Sequence, residues 1–247
     1  MHLGRGSVVF ITGGGSGIGL ALARRFLARD CSVTICGRDT EKLEAAERDS
    51  DGLSAVRCDV TQNLDVLRMR DLLTSQYGRV DVLVNNAGIQ RTFEFAEDPD
   101  ALEKLEEEVR TNFLSQVRLI RAFLPLLIAS DAPVIVNVTS VLAMLPKRSA
   151  PGYCASKAAL HSFTRTLAWQ LEGTGIAVLE LLPPLVDTPM TRGKPYRVRP
   201  MRADLFAEAA LRGIEKGRRE IRPGKAWLFC LGARLFPGLL ERFLRQS

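Results

Sequence analysis

The chain has 247 residues, 46% of them hydrophobic, a formal net charge of +6 and five cysteines. Length and composition fit an ordinary globular protein of one large domain or two small ones. There is no run of 18 apolar residues, so no spanning helix is expected. The cysteines (Cys31, Cys36, Cys58, Cys154, Cys230) are odd in number and form no C-x-x-C pair. Neither a disulfide framework nor a metal site is expected, and a reducing, cytoplasmic setting fits. The basic balance permits contact with anions, but the arginines are spread along the chain and a solvated basic surface is the plainer reading. Nothing beyond net charge supports nucleic-acid binding. The N-terminus reaches an apolar run within eight residues, without a charged-then-apolar leader.

The β-branched run Val8–Thr12 reads as a first strand. The glycine loop of residues 13–19 follows, then residues 20–27 with helical character. Strand, glycine loop and helix N-terminus suit a pyrophosphate: glycine lets the backbone approach, and the helix end favours negative charge. The spacing here is G-x-x-x-G-x-G at Gly13, Gly17 and Gly19, with Gly15, Ser16 and Ile18 between.

A second strand, residues 32–36, ends at Gly37-Arg38-Asp39. In a dinucleotide fold this point lies beside the adenosine ribose. An arginine there pairs with the 2′-phosphate of NADP, and a carboxylate holds the free hydroxyl of NAD. Arg38 favours NADP, with NAD as the alternative. On the competing reading Asp39 only caps the helix 40–48 and Arg38 is solvated. A third strand, 53–57, closes at Cys58-Asp59-Val60. Asp59 either accepts from an adenine amino group or caps the helix 63–77, for which Thr61 is better placed. A fourth strand, 80–84, runs into Asn85-Asn86-Ala87-Gly88, at the strand end where open parallel sheets bind ligands.

Residues 99–127 read as one long helical stretch with Asn112 among apolar neighbours, and a mid-helix Asn is often only tolerated. A fifth strand, 134–138, leads into Thr139 and Ser140. The next helix runs to about 172 and carries Tyr153 and Lys157, four apart and so on one face. A phenol titrates near ~10, and a fixed cation nearby lowers that value, which makes the pair a plausible acid/base. A bare Y-x-x-x-K is more often a surface Tyr and a solvated Lys. A sixth strand, 176–182, ends in Pro183-Pro184, a helix covers 204–216 and a short strand 220–222.

This alternation is the pattern of one doubly wound parallel α/β sheet, a Rossmann fold with helices on both faces. Residues 187–203, rich in Arg and Pro, form a candidate lid, with a solvated loop as the plainer reading of its charge. The apolar tail, about 225–247, is expected to pack within the protein or its oligomer. Covering the substrate pocket and lying on a membrane surface are the alternatives. Its two glycines and Pro237 argue against a continuous interfacial helix.

In motif order and spacing, residues 7–190 resemble the short-chain dehydrogenase/reductase family. Residues 12–19 resemble its cofactor loop, Asp59 its adenine-binding acid, and Asn85-Asn86-Ala87-Gly88 its N-N-A-G motif. Asn112, Ser140, Tyr153 and Lys157 resemble its catalytic tetrad. Ser140 precedes Tyr153 by thirteen residues, as the family pattern requires. The resemblance implies hydride transfer between NAD(P) and a carbonyl/alcohol pair, with Tyr153 as general acid/base. Lys157 would hold the nicotinamide ribose and tune Tyr153, Ser140 would orient the carbonyl oxygen, and Asn112 would hold a relay water. It further implies cofactor contacts at Gly13, Gly15, Ser16, Gly17, Ile18, Gly19, Arg38, Asp59, Val60, Asn86, Ala87, Gly88, Pro183, Val186 and Thr188, and a homodimer or homotetramer paired through the helices around Asn112 and after Tyr153. Pro184 departs from the family's usual Pro-Gly, so the turn there must differ locally. The pattern Pro-Pro-x-Val-Asp-Thr-Pro is similar to a bacterial subgroup named after lipoteichoic-acid D-alanylation operons. Leu142, Met144, Leu145 and Met190 suggest an apolar substrate pocket. A nucleotide-sensing or scaffold protein on the same fold is the alternative function.

Overall fold

The computed structural model describes residues 3–193, 198–236, 238, 244 and 245. Seven parallel strands lie in the order β3-β2-β1-β4-β5-β6-β7. They are β1 (Val8–Thr12), β2 (Ser32–Gly37), β3 (Leu53–Arg57), β4 (Val82–Asn85), β5 (Val134–Val138), β6 (Ala177–Leu181) and β7 (Glu220–Ile221). Every residue of β1, β4 and β5 is buried, as continuous apolar runs in a sheet covered on both faces require. β4 starts two residues later than its sequence suggests. Val80 N instead donates to Leu126 O, and the Asp81 carboxylate accepts from Val8 N at 2.6 Å, tying the start of β1 to this strand.

The helices are α1 (Gly17–Leu27), α2 (Thr40–Arg48), α3 (Asn63–Tyr77), α4 (Ala101–Val109), α5 (Ser115–Ile128), α6 (Pro151–Gln170), α7 (Ala203–Glu215) and α8 (Ala226–Leu235). One core joins Leu22 and Phe26 of α1 with Phe206 and Leu211 of α7 across one sheet face. The other joins Met69 of α3, Phe123 of α5 and Leu167 of α6, with Phe10 stacked on Phe123 at 5.0 Å. The order reverses between β1 and β4, which opens the crevice at the strands' C-terminal ends.

The long helical stretch expected over 99–127 runs from Ala101 to Ile128, with a π-type turn, Arg110–Leu114, between α4 and α5. Asn112 sits in that turn, and its amide ties the turn to a neighbouring loop and to α6. The tail forms the ten-residue helix α8, which includes Gly232 and ends at Leu235, with Ala226 and Cys230 packed with Val141 and Leu182. Pro237 lies outside the described residues. All five cysteines are free and buried, and burial pushes the Cys31 thiol up to about 11.

Candidate active site

A cleft of about 1630 Å³ runs along the C-terminal ends of the strands. Among the residues expected to hold cofactor or substrate, Gly13, Gly15, Ser16, Gly17, Ile18, Arg38, Asp59, Val60, Asn86, Ala87, Gly88, Ser140, Tyr153, Lys157, Pro183, Val186 and Thr188 line it. Gly19 and Asn112 do not, and each has a different task.

The glycine loop is shaped by steric contacts. Gly13 has φ +65, and a Cβ there would come within 2.9 Å of Ala87 Cα. A Cβ on Gly19 would sit 2.4 Å from Gly13 O and 2.6 Å from Asn86 Nδ2, so Gly19 lets α1 pack against its own loop. Gly14, which sequence reading passed over, is as constrained: its Cβ would meet Ile35 Cβ at 2.4 Å. Thr12 Oγ1 accepts from Asn86 N and Ala87 N, both at 3.0 Å, while Asn86 Nδ2 donates to Thr12 O at 2.9 Å. The strand before the loop thus clamps the N-N-A-G turn. Ser16 is the N-cap of α1 and makes no side-chain bond to its first N–H groups, which leaves those donors for an anion. A phosphorylated dinucleotide fits this cradle.

At the adenosine end, Asp39 caps α2 by accepting from Lys42 N at 3.1 Å and pairs with Lys42 Nζ. Arg38 is exposed on the cleft wall and has no ion-pair partner among the described residues. Asp59 Oδ1 accepts from Thr61 N at 2.9 Å and Thr61 Oγ1 at 2.8 Å. The N-cap of α3 is Gln62, with no side-chain bond to the first turn, so neither Asp59 nor Thr61 caps that helix.

At the other end, α6 places Tyr153 and Lys157 on the cleft, with Lys157 Nζ 5.9 Å from the centroid of the Tyr153 ring. Lys157 is buried and donates to Val138 O at 2.8 Å. Loss of hydration there lowers its pKa to about 8. Ser140 caps a 3₁₀ turn, Val141–Ala143, by accepting from Leu142 N. Asn112 is fully buried, with Oδ1 accepting from Ile89 N at 2.8 Å and Nδ2 donating to Ile89 O and Ser156 Oγ. Both ends of its amide are engaged, so it joins the loop after β4 to the helix of Tyr153.

The candidate lid is pinned at its roots. Asp187 N donates to Met201 O and Met201 N to Leu185 O, both at 2.8 Å. Lys194, Pro195, Tyr196 and Arg197 lie outside the described residues. Thr188 is held by Thr191 Oγ1, and its Cβ would be 3.2 Å from a Cβ on Gly17, so it faces the glycine loop. Leu142 and Met190 line the cleft as expected, but Met144 packs with Val141 and Leu182, and Leu145 is buried off the cleft wall. Leu185, Val198, Met201, Phe229 and Leu244 line it as well. The tail residues in that set are placed by tertiary contact, and no local motif marks them.

Comparison with known proteins agrees with this architecture. The short chain dehydrogenase family profile matches residues 7–197. The chain is 37% identical over 221 residues to the uncharacterized oxidoreductase DltE of Bacillus subtilis (strain 168), covering 87% of each protein. It superposes on a short chain dehydrogenase from Burkholderia cenocepacia J2315, solved with NADP, with a TM-score of 0.85 and 27% identity over 99% of both chains. A 3-ketoacyl-(acyl-carrier-protein) reductase from Brucella melitensis, solved with NADH, gives a TM-score of 0.77 and 30% identity over 85% of this chain and 90% of that one. With its sheet order, glycine cradle and Tyr/Lys helix, the chain belongs to the short-chain dehydrogenase/reductase family of NAD(P)-dependent oxidoreductases.

Proposed function

We propose that the protein interconverts a carbonyl compound and its alcohol with NADP(H), using Tyr153 as general acid/base. The observation that carries this reading is that Ser140, Tyr153 and Lys157 line the same cleft as the glycine loop and Arg38. When bound, the cofactor supplies the hydride. Ser140 holds the carbonyl oxygen, and Tyr153 gives it a proton in reduction or takes one in oxidation. Lys157 binds the nicotinamide ribose and favours the tyrosinate, because a cation held 5.9 Å from the ring lowers the cost of the anion. Asn112 holds the π-type turn against Ile89 and α6, which keeps the loop after β4 in register with Tyr153. Unpaired Arg38 supports NADP over NAD, since Asp39 is already committed to α2.

The substrate has apolar character, to match Leu142, Leu185, Met190, Val198 and Phe229 on the cleft wall. Residues 1–247 act as one Rossmann unit, with 187–203 as a lid and the inner face of α8 covering the cleft. Leu102, Leu114 and Trp169 are exposed on the helices expected to pair subunits, which supports a homodimer or homotetramer. Trp227, Leu228, Leu231 and Leu235 form an exposed stripe on α8 and pack against a second subunit in this reading. Five buried free thiols suit the cytoplasm. The test is fluorescence titration with NADPH and NADH, followed by a carbonyl screen with the preferred cofactor on the unsubstituted protein and Tyr153→Phe. NADPH preference with turnover lost only in Tyr153→Phe is the expected result. Equal turnover in both proteins would refute the assignment.

A further inference from the structure

A polar layer crosses the sheet beneath α6. Asn85, Asn137, Glu180 and Glu220 are successive register partners on β4, β5, β6 and β7. Asn85 Nδ2 donates to Asn137 Oδ1, and Asn137 Nδ2 to Thr164 Oγ1 on α6, both at 2.9 Å. Glu180 is 1% exposed. Its Oε1 accepts from Thr139 Oγ1 at 2.6 Å, and His161 Nδ1 of α6 stands 2.8 and 2.9 Å from its two oxygens. His161 follows Lys157 by four residues and so lies on the same helix face.

A buried carboxylate left without its partners is costly, so this network admits one seating of α6 on the sheet. The seating matters because the end of β5 and the two residues after it carry the reaction groups: Val138 O holds Lys157 Nζ, Thr139 binds Glu180, and Ser140 enters the cleft. We propose that the His161–Glu180 pair is a positioning device for the reaction, holding Thr139 so that Lys157 and Ser140 keep their places, and that it does so while His161 is protonated. The proposal rests on the reading of Ser140, Tyr153 and Lys157 given above.

The charges facing His161 are Glu180 on β6, Glu220 on β7 and Arg165 one turn along α6. Glu220 is itself paired with Arg222, and the Cys230 thiol of α8 lies close to both acids. The hydrogen bond to Glu180 raises the His161 pKa, against the opposing effect of burial. A raised folded value means that the pair's contribution is complete below the ordinary histidine value, near ~6.5, and fades as pH climbs through the folded value.

The test has two readouts. Imidazole nitrogen NMR of the protein, which has only two histidines, follows His161 directly, with His161→Gln assigning the signal. NADPH affinity and turnover of phenanthrenequinone are then followed from about pH 6 to about pH 9 in the unsubstituted protein, His161→Gln, Glu180→Gln and the apolar double variant His161→Leu/Glu180→Leu. The expected result is a His161 that stays charged to higher pH than His2, and a fall of about tenfold in kcat and NADPH affinity in the variants, with the His161-linked step in the pH profile gone. If the single variants do not fold, the double variant decides, since a well-packed apolar pair restores folding without restoring the step. A His161 that titrates like His2, or a folded double variant with the unsubstituted pH profile, overturns the proposal. An unsubstituted protein that binds no NADPH at any pH fails the reading of the site and this proposal with it. Normal NADPH binding, turnover and pH profile in every folded variant fails this proposal alone.

Discussion

Lys157 donates its ammonium to the main-chain carbonyl of Val138, 2.8 Å away, in a position that is 3% exposed. The helix of Tyr153 and Lys157 is thereby fastened to the end of the strand that leads into Ser140. The arrangement has an energetic signature. Burial lowers the Lys157 pKa from 10.5 to about 8, which corresponds to a cost on the order of 3 kcal/mol for the charged form.

Between about pH 8 and about pH 10.5 the unfolded chain binds the proton more tightly than the folded one, so the Lys157 contribution to stability rises with pH across that window. Below it the penalty is fully present. Lys157→Met removes the penalty, and this variant is expected to be more stable than the parent at pH ~7 by about 1–3 kcal/mol, with the gap closing by pH ~10. Denaturant unfolding at both pH values measures this. NADPH affinity should fall in the same variant, and an unchanged affinity would remove the ribose role.

Tyr153→Phe deletes one hydroxyl at the cleft and leaves α6 intact. Turnover is expected to drop by at least about 100-fold, with NADPH affinity within a few-fold of the parent. Steady-state kinetics and fluorescence titration on the same preparation separate the two effects.

Arg38 is exposed on the cleft, whereas Asp39 is occupied by Lys42. Arg38→Ala is expected to lower the ratio of NADPH to NADH affinity by about tenfold, through the loss of one charge-assisted contact. A ratio that does not move would assign the 2′-phosphate to another residue.

The glycine loop makes a graded prediction. Gly19→Ala places a methyl 2.4 Å from Gly13 O, and Gly14→Ala places one 2.4 Å from Ile35 Cβ. Each should cost about 1–3 kcal/mol and weaken NADPH binding. At Gly15 the nearest atom is Lys42 Cβ at 3.4 Å, so Gly15→Ala should fold normally. Thermal melts and cofactor titrations of the three variants rank them.

Asn112 and Ser140 were marked only by the family resemblance. By itself the sequence determined the alternation of strands and helices, the sheet class, the glycine loop and the shared helix face of Tyr153 and Lys157. Each of these depends on local chemistry: β-branched runs, a glycine-rich turn, or a spacing of four on one helix. The π-type turn at Asn112 was not legible, because it is held by Ile89 and Ser156, distant in the chain. The commitment of Asp39 to α2 was weighed, but only the observed bond from Lys42 N decided it. Glu180 reads as an odd acid in an apolar strand, and His161 as one polar residue on a long helix. Only the packing of α6 on β6 brought them to 2.8 Å and made them a pair. Covering of the cleft by the tail was weighed as an alternative, but only the fold picked out Phe229 and Leu244, since apolar residues in a tail carry no spacing that says what they will cover. Local periodicity sets elements and motifs, whereas burial of charge and the choice of apolar neighbours are decided by contacts between residues far apart in the chain.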